Sequence, residues 1–137
     1  RLELGDIAER ECGDKDGVLL ISESNMLLGR EPYYMKFGFR PVERSAAAKI
    51  AYNLRKMKDM RIDSQNIIEY LEHESSKKIS VGLANVLVKS DDKSAIELLT
   101  MLRHNACGTY AKWYSYFYKY YGLKVLLGRE NTYELIL

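Results

Sequence analysis

The residues best suited to chemistry lie in the aromatic tract WYSYFYKYYGLKV, residues 113–125. Tyrosine and tryptophan rings stack on nucleobases, attract cations and anchor protein interfaces. On a helix the tract divides into two faces, and the face predicted to be buried comprises Tyr110, Trp113, Tyr114, Phe117 and Tyr121. Tyr116 and Tyr120 fall on the opposite side, where core packing does not explain them. With Lys112 and Lys119 they are candidates for binding single-stranded nucleic acid or a protein partner.

A helix over residues 109–121, ended by Gly122, must position these side chains. Periodicity also predicts helices over 2–12 and 44–60 and a helix from Asp63 or Ser64 to His73. Two more helices are predicted from their caps, a short one capped by Asn25 and one capped by Ser90 or Asp91. The predicted strands are 17–24, a segment near 39–43, and a terminal hairpin of 123–127 with 132–137. Residues 79–90 fit a strand or a helix equally well.

Length and composition limit the classes of protein to consider. A chain of 137 residues with 47% hydrophobic and 29% charged residues is expected to form one domain, and its start at Arg1 suggests a piece of a longer chain. The net charge of +2 leans against a dedicated nucleic-acid protein, and no apolar run is long enough to cross a bilayer. The two histidines and the distant Cys12 and Cys107 match no metal spacing. We expect reduced thiols and a cytoplasmic location.

The motif Tyr-x-x-x-Gly occurs twice, from Tyr34 to Gly38 and from Tyr118 to Gly122. In both copies an apolar residue follows the glycine. Such a motif is typical of a helix that ends in a left-handed glycine before an extended segment. Local structure alone therefore explains both copies without any function.

The two joints also resemble the end of the acetyl-CoA-binding region in the GNAT family of N-acetyltransferases, where a strand, a short helix and (F/L)Y-x-x-x-GF follow one another. GVLLISES and NMLLGREPYYMKFGF resemble that strand and helix, and YFYKYYGLKVLLGRENTYELIL resembles the closing helix and strands. The resemblance implies an α/β (α+β) fold with a mixed sheet flanked by helices and, here, a helix-rich middle segment. The glycine-containing pyrophosphate loop of that family does not occur between Arg1 and Leu137.

By this resemblance the domain would transfer an acetyl group from acetyl-CoA to an amine, without a metal. Tyr118 or Tyr34 would protonate the leaving thiolate, because a phenol is protonated at neutral pH. Asn25 would lie in the cofactor-binding region. The candidates for the general base are Glu23, Glu97 and Glu134. The alternative is a non-catalytic interaction module that uses the Tyr116 and Tyr120 face, and the missing phosphate loop favours it.

Overall fold

The structure is a computed structural model that describes residues 2–5, 8–10 and 18–135. Helices dominate this part of the chain. The α-helices are α1 (Ile21–Leu27), α2 (Arg44–Lys58), α3 (Ser64–Ser75), α4 (Val81–Lys89), α5 (Ala95–Asn105) and α6 (Cys107–Tyr120), with 3₁₀ helices over Tyr33–Phe37 and Gly128–Asn131.

Short antiparallel strands complete the fold. They are β1 (Leu2–Gly5), β2 (Ala8–Arg10), β3 (Val18–Leu20), β4 (Arg40–Pro41) and β5 (Thr132–Leu135). β5 lies between β1 and β4, with Glu134 opposite both Glu3 and Arg40, while β2 pairs with β3. The prediction of a mixed, GNAT-like sheet flanked by helices is therefore wrong. Every strand pair within the described residues is antiparallel, and the helices pack mainly on one another.

Apolar stripes at helical spacing bring α1 to α6 into one core. On α2 the stripe includes Ala46, Ile50 and Met57, and α6 buries the whole face predicted from its sequence. That face comprises Tyr110, Trp113, Tyr114, Phe117 and, just beyond the helix, Tyr121. The prediction of a buried aromatic face is confirmed.

Both tyrosine-glycine joints have the predicted local structure. Gly38 and Gly122 are left-handed, with φ of 90° and 67°. In each joint the amide of the residue after glycine donates to the carbonyl of the tyrosine, over 3.3 Å to Tyr34 and 3.1 Å to Tyr118. This hydrogen bond closes the last helical turn, as in a Schellman motif. A strand follows the first joint, but residues 123–127 after the second form none.

Several predicted elements are wrong. Residues 2–5 and 8–10 are strands and not a helix, and β3 is followed directly by α1, so Asn25 lies inside a helix and caps none. The terminal hairpin does not form, because β5 pairs with β1 and β4 and not with residues 123–127. Ser94, and not Ser90 or Asp91, caps α5, and Ser80 caps α4 in the ambiguous segment.

The prediction of a reduced thiol at Cys107 is also wrong, because this residue is disulfide-bonded. Cys12 lies outside the described residues. Disulfides are rare in reducing compartments, so the cysteines no longer support a cytoplasmic location. None of the helices in the described ranges has both the length and the apolar character needed to cross a membrane.

Candidate anion-binding site

Helix α2 carries a concentrated positive charge. Its sequence RSAAAKIAYNLRKMK holds five basic residues and no acidic one. Its apolar stripe faces the core, so most of the basic side chains are left at the surface. By contrast α3 contains three glutamates and neither lysine nor arginine. The small net charge of the chain therefore conceals a separation of basic and acidic helices.

A cluster of two lysines and one tyrosine forms at the surface of α2. The Lys124 ammonium lies 4.4 Å from the centroid of the Tyr52 ring, and the Lys56 ammonium lies 5.5 Å from it. Lys56 also donates to the Tyr52 hydroxyl over 3.3 Å. Within the described residues neither lysine has a carboxylate partner. We call Tyr52, Lys56 and Lys124 the Tyr52 cluster.

A buried polar clamp fixes the backbone that carries Lys124. The Asn53 amide donates to the Lys124 carbonyl over 2.9 Å, and the Lys124 amide donates back to Asn53 Oδ1 over 2.7 Å. The Tyr118 hydroxyl donates to the same carbonyl over 2.6 Å and accepts from Asn53 Nδ2. Asn53 has no solvent exposure and Tyr118 almost none. Such satisfied buried groups hold one geometry firmly.

Gly122 leaves room for the Lys56 side chain. A Cβ atom at this glycine would approach Lys56 Nζ to 2.8 Å. The Lys56 ammonium consequently lies close to the end of α6, where the helix dipole favours a cation. This placement stabilises the helix end without neutralising the charge of Lys56 with a carboxylate.

A second group of rings and cations lies on the first 3₁₀ helix. Phe37 exposes 58% of its surface and Tyr33 exposes 40%, and their ring centroids are 5.3 Å apart in an edge-to-face arrangement. The Lys36 ammonium lies 4.6 Å from the Tyr33 centroid and 5.7 Å from that of Phe37. We call Tyr33, Lys36 and Phe37 the Tyr33 cluster.

The residues predicted for acetyl transfer come from three elements, namely Tyr118 from α6, Tyr34 from the first 3₁₀ helix and Asn25 from α1. The Tyr118 hydroxyl is committed to the clamp, and burial, followed by the Glu23 carboxylate, raises its pKa well above the usual range. Tyr34 is half-buried, and its ring centroid lies 5.7 Å from that of Tyr133. Asn25 is half-buried within α1.

The residues predicted for partner binding also lie in different surroundings. Tyr116 and Tyr120 are both half-buried and pack against the core, so the prediction that core packing does not explain them is wrong. Tyr120 also packs against Tyr70 of the acidic helix α3. Burial, and then the Asp63 carboxylate, raise the pKa of Tyr120. Lys119 is exposed, and Lys112 is exposed with its ammonium 5.4 Å from the Trp113 centroid. An anion would meet unfavourable negative charge beside Tyr120.

Sequence reasoning missed both clusters. The basic run NLRKMK was visible, but Tyr52 and Lys124 are distant in sequence and meet only in the folded chain. Phe37 lies in the motif from Tyr34 to Gly38, which was interpreted as a helix end, so its exposure was not predicted. Comparison with family models, curated proteins and solved structures finds no match to this chain.

Proposed function

We propose that this chain is a non-catalytic interaction module that binds a phosphate-bearing polyanion at the Tyr52 cluster. The observation that carries the proposal is the approach of two lysine ammonium groups to one tyrosine ring with no carboxylate partner among the described residues. Two neighbouring cations repel each other, and a bound anion relieves that repulsion. The clamp holds the backbone of Lys124 in place without an anion.

The donors of the Tyr52 cluster suit a phosphate group. Because the Tyr52 hydroxyl accepts from Lys56, its own proton is available to a ligand oxygen. Each lysine ammonium has further N–H groups, and lysine is a common phosphate ligand. Two ammonium groups share the single Tyr52 ring, so this cluster offers a ligand more positive charge than ring surface.

Acetyl transfer remains a prediction from resemblance, and no contact in the described residues favours it over binding. The Tyr118 phenol would have to leave the Lys124 carbonyl before it protonated a thiolate. Its raised pKa also makes it a weaker acid than an ordinary tyrosine.

The proposal is tested with a labelled abasic deoxyribose-phosphate chain of about 12 residues, a length within common site sizes. We expect Lys56→Gln and Lys124→Gln each to weaken binding roughly fivefold to tenfold and to lower the slope of log affinity against log salt by about one. Fluorescence anisotropy at several salt concentrations measures both effects.

Lys78→Gln is the matched control, because Lys78 is an exposed lysine between α3 and α4, outside the cluster. It should change affinity little. Absence of binding by the unmodified chain, or equal losses in all three variants, would refute a site at Tyr52. Tighter binding of a polyglutamate peptide of equal charge would instead indicate an acidic protein partner.

A further inference from the structure

We infer that the polyanion is a single-stranded nucleic acid and that its bases stack on the Tyr33 cluster. This inference rests on the proposed function, which makes the ligand a phosphate-bearing polyanion. Phe37 is the most exposed of the described aromatic side chains, and Tyr33 is adjacent to it. Two neighbouring exposed rings differ from the single apolar side chains scattered over most protein surfaces.

The exposed rings are held by buried neighbours. Phe39 is 9% exposed, and the centroids of Tyr34 and Phe39 are 6.0 Å apart. The amide of Phe39 closes the turn onto the Tyr34 carbonyl. The Tyr34 ring in turn contacts Tyr133 in β5. This anchor fixes the turn that carries Tyr33 and Phe37, so little conformational entropy is lost when a ligand binds there.

The local charge favours a phosphate backbone beside the rings. Arg30, Lys36 and Arg40 lie within or next to the turn, against Glu31 in segment 30–40 and Glu134, which lies opposite Arg40 in β5. These three cations have no carboxylate partner in the part of the chain described. Arg40 donates from Nη1 to the carbonyls of Met35 and Phe39, which holds its guanidinium next to the cluster.

Aromatic rings beside cations without carboxylate partners suit the bases and the phosphates of a single-stranded nucleic acid. Unstacked bases offer flat faces to the rings, and the phosphates meet the cations. A duplex keeps its bases stacked inside and cannot use the rings in this way. A purely acidic peptide such as polyglutamate would satisfy the cations but carries no flat ring to stack on the two aromatic side chains.

The test compares labelled oligothymidylate of about 12 nucleotides with the abasic chain of equal length and charge. We expect the base-bearing strand to bind roughly tenfold more tightly. Phe37→Ala should remove most of that advantage and leave abasic binding unchanged, whereas Phe37→Tyr should retain it because a ring remains. Since Phe37 is largely exposed, the circular dichroism of both variants should match that of the unmodified chain.

Leu127→Ala is the control, because Leu127 is 66% exposed and apolar but not aromatic. It should leave both affinities unchanged. Equal binding of the two strands, with no effect of Phe37→Ala, would overturn the inference and leave the phosphate site intact. If neither strand binds, the proposed function fails as well. Binding of a polyglutamate peptide that Phe37→Ala weakens would assign the rings to a protein partner and also overturn the inference.

Discussion

At the scale of residues, Tyr118 shows how a local motif can be recognised while its environment is not. The glycine joint after Tyr118 was predictable because all its hydrogen bonds lie within one turn. The partners of its hydroxyl come from α2 and from the chain beyond α6. No spacing within the aromatic tract points to Asn53, so the sequence did not indicate that Tyr118 supports Lys124.

Tyr118→Phe tests this supporting role. The variant loses the hydroxyl that donates to the Lys124 carbonyl, while Asn53 still donates to that oxygen. We expect the free energy of unfolding to fall by about 1 kcal/mol, the usual net value of a hydrogen bond. Tyr116→Phe is the control, because no hydrogen bond of the Tyr116 hydroxyl is found among the described residues. Urea denaturation measures both, and equal losses would argue against the clamp.

At the scale of elements, periodicity predicted the long helices well and the short strands poorly. α2, α3 and α6 have apolar stripes several turns long, so their positions were predictable to within a few residues. β1 and β2 have four and three residues, too few to distinguish a strand period from a helical one. β5 was predicted as a strand, but its partners depend on the fold and not on its own sequence.

The N-cap of α5 provides a test at this scale. The polar run SDDKS, residues 90–94, precedes the helix, and the sequence favoured Ser90 or Asp91 as its cap. In the structure the Ser94 hydroxyl accepts a hydrogen bond from the Glu97 amide. Ser94→Ala should therefore lower the free energy of unfolding by about 1 kcal/mol. Ser90→Ala should have little effect, because Ser90 ends α4 and caps no N-terminus. Thermal or urea unfolding measures both losses of stability. A larger loss in Ser90→Ala than in Ser94→Ala would contradict the assignment of Ser94 as the cap.

At the scale of the whole molecule, one carboxylate joins α2 to the chain beyond α6. Glu130 accepts from Lys49 over 2.6 Å and from the Leu127 amide over 2.9 Å. Lys49 also donates to the Val125 carbonyl. These contacts hold residues 125–130 against the helix that carries Tyr52. The site therefore depends on an interaction that neither segment's sequence indicates alone.

Glu130 gives the stability of the molecule a defined pH dependence. The hydrogen bond from Lys49, followed by those from Ser45 and Leu127, lowers the pKa of Glu130 from 4.5 to about 2. A depressed pKa in the folded state stabilises the protein above the unfolded pKa, and this contribution disappears as pH falls from 4.5 towards 2. Glu130→Gln should be less stable than the unmodified chain near neutral pH, and the difference should shrink across that acidic range.

Urea unfolding at successive pH values measures this difference. Glu43→Gln is the control, because Glu43 forms an exposed ion pair with Arg129 and such pairs contribute little. A constant difference between Glu130→Gln and the unmodified chain down to the most acidic pH would contradict the linkage.

The pairing of β4 with β5 has a consequence for how the chain folds. The Val42 amide donates to the Thr132 carbonyl, so the two residues meet although all the helices from α2 to α6 lie between them in sequence. Joining such distant residues in an unfolded chain carries a loop-closure cost, whereas a helical core that forms first brings them together. β4 and β5 should thus pair late in folding, after the packed helices have brought them close together.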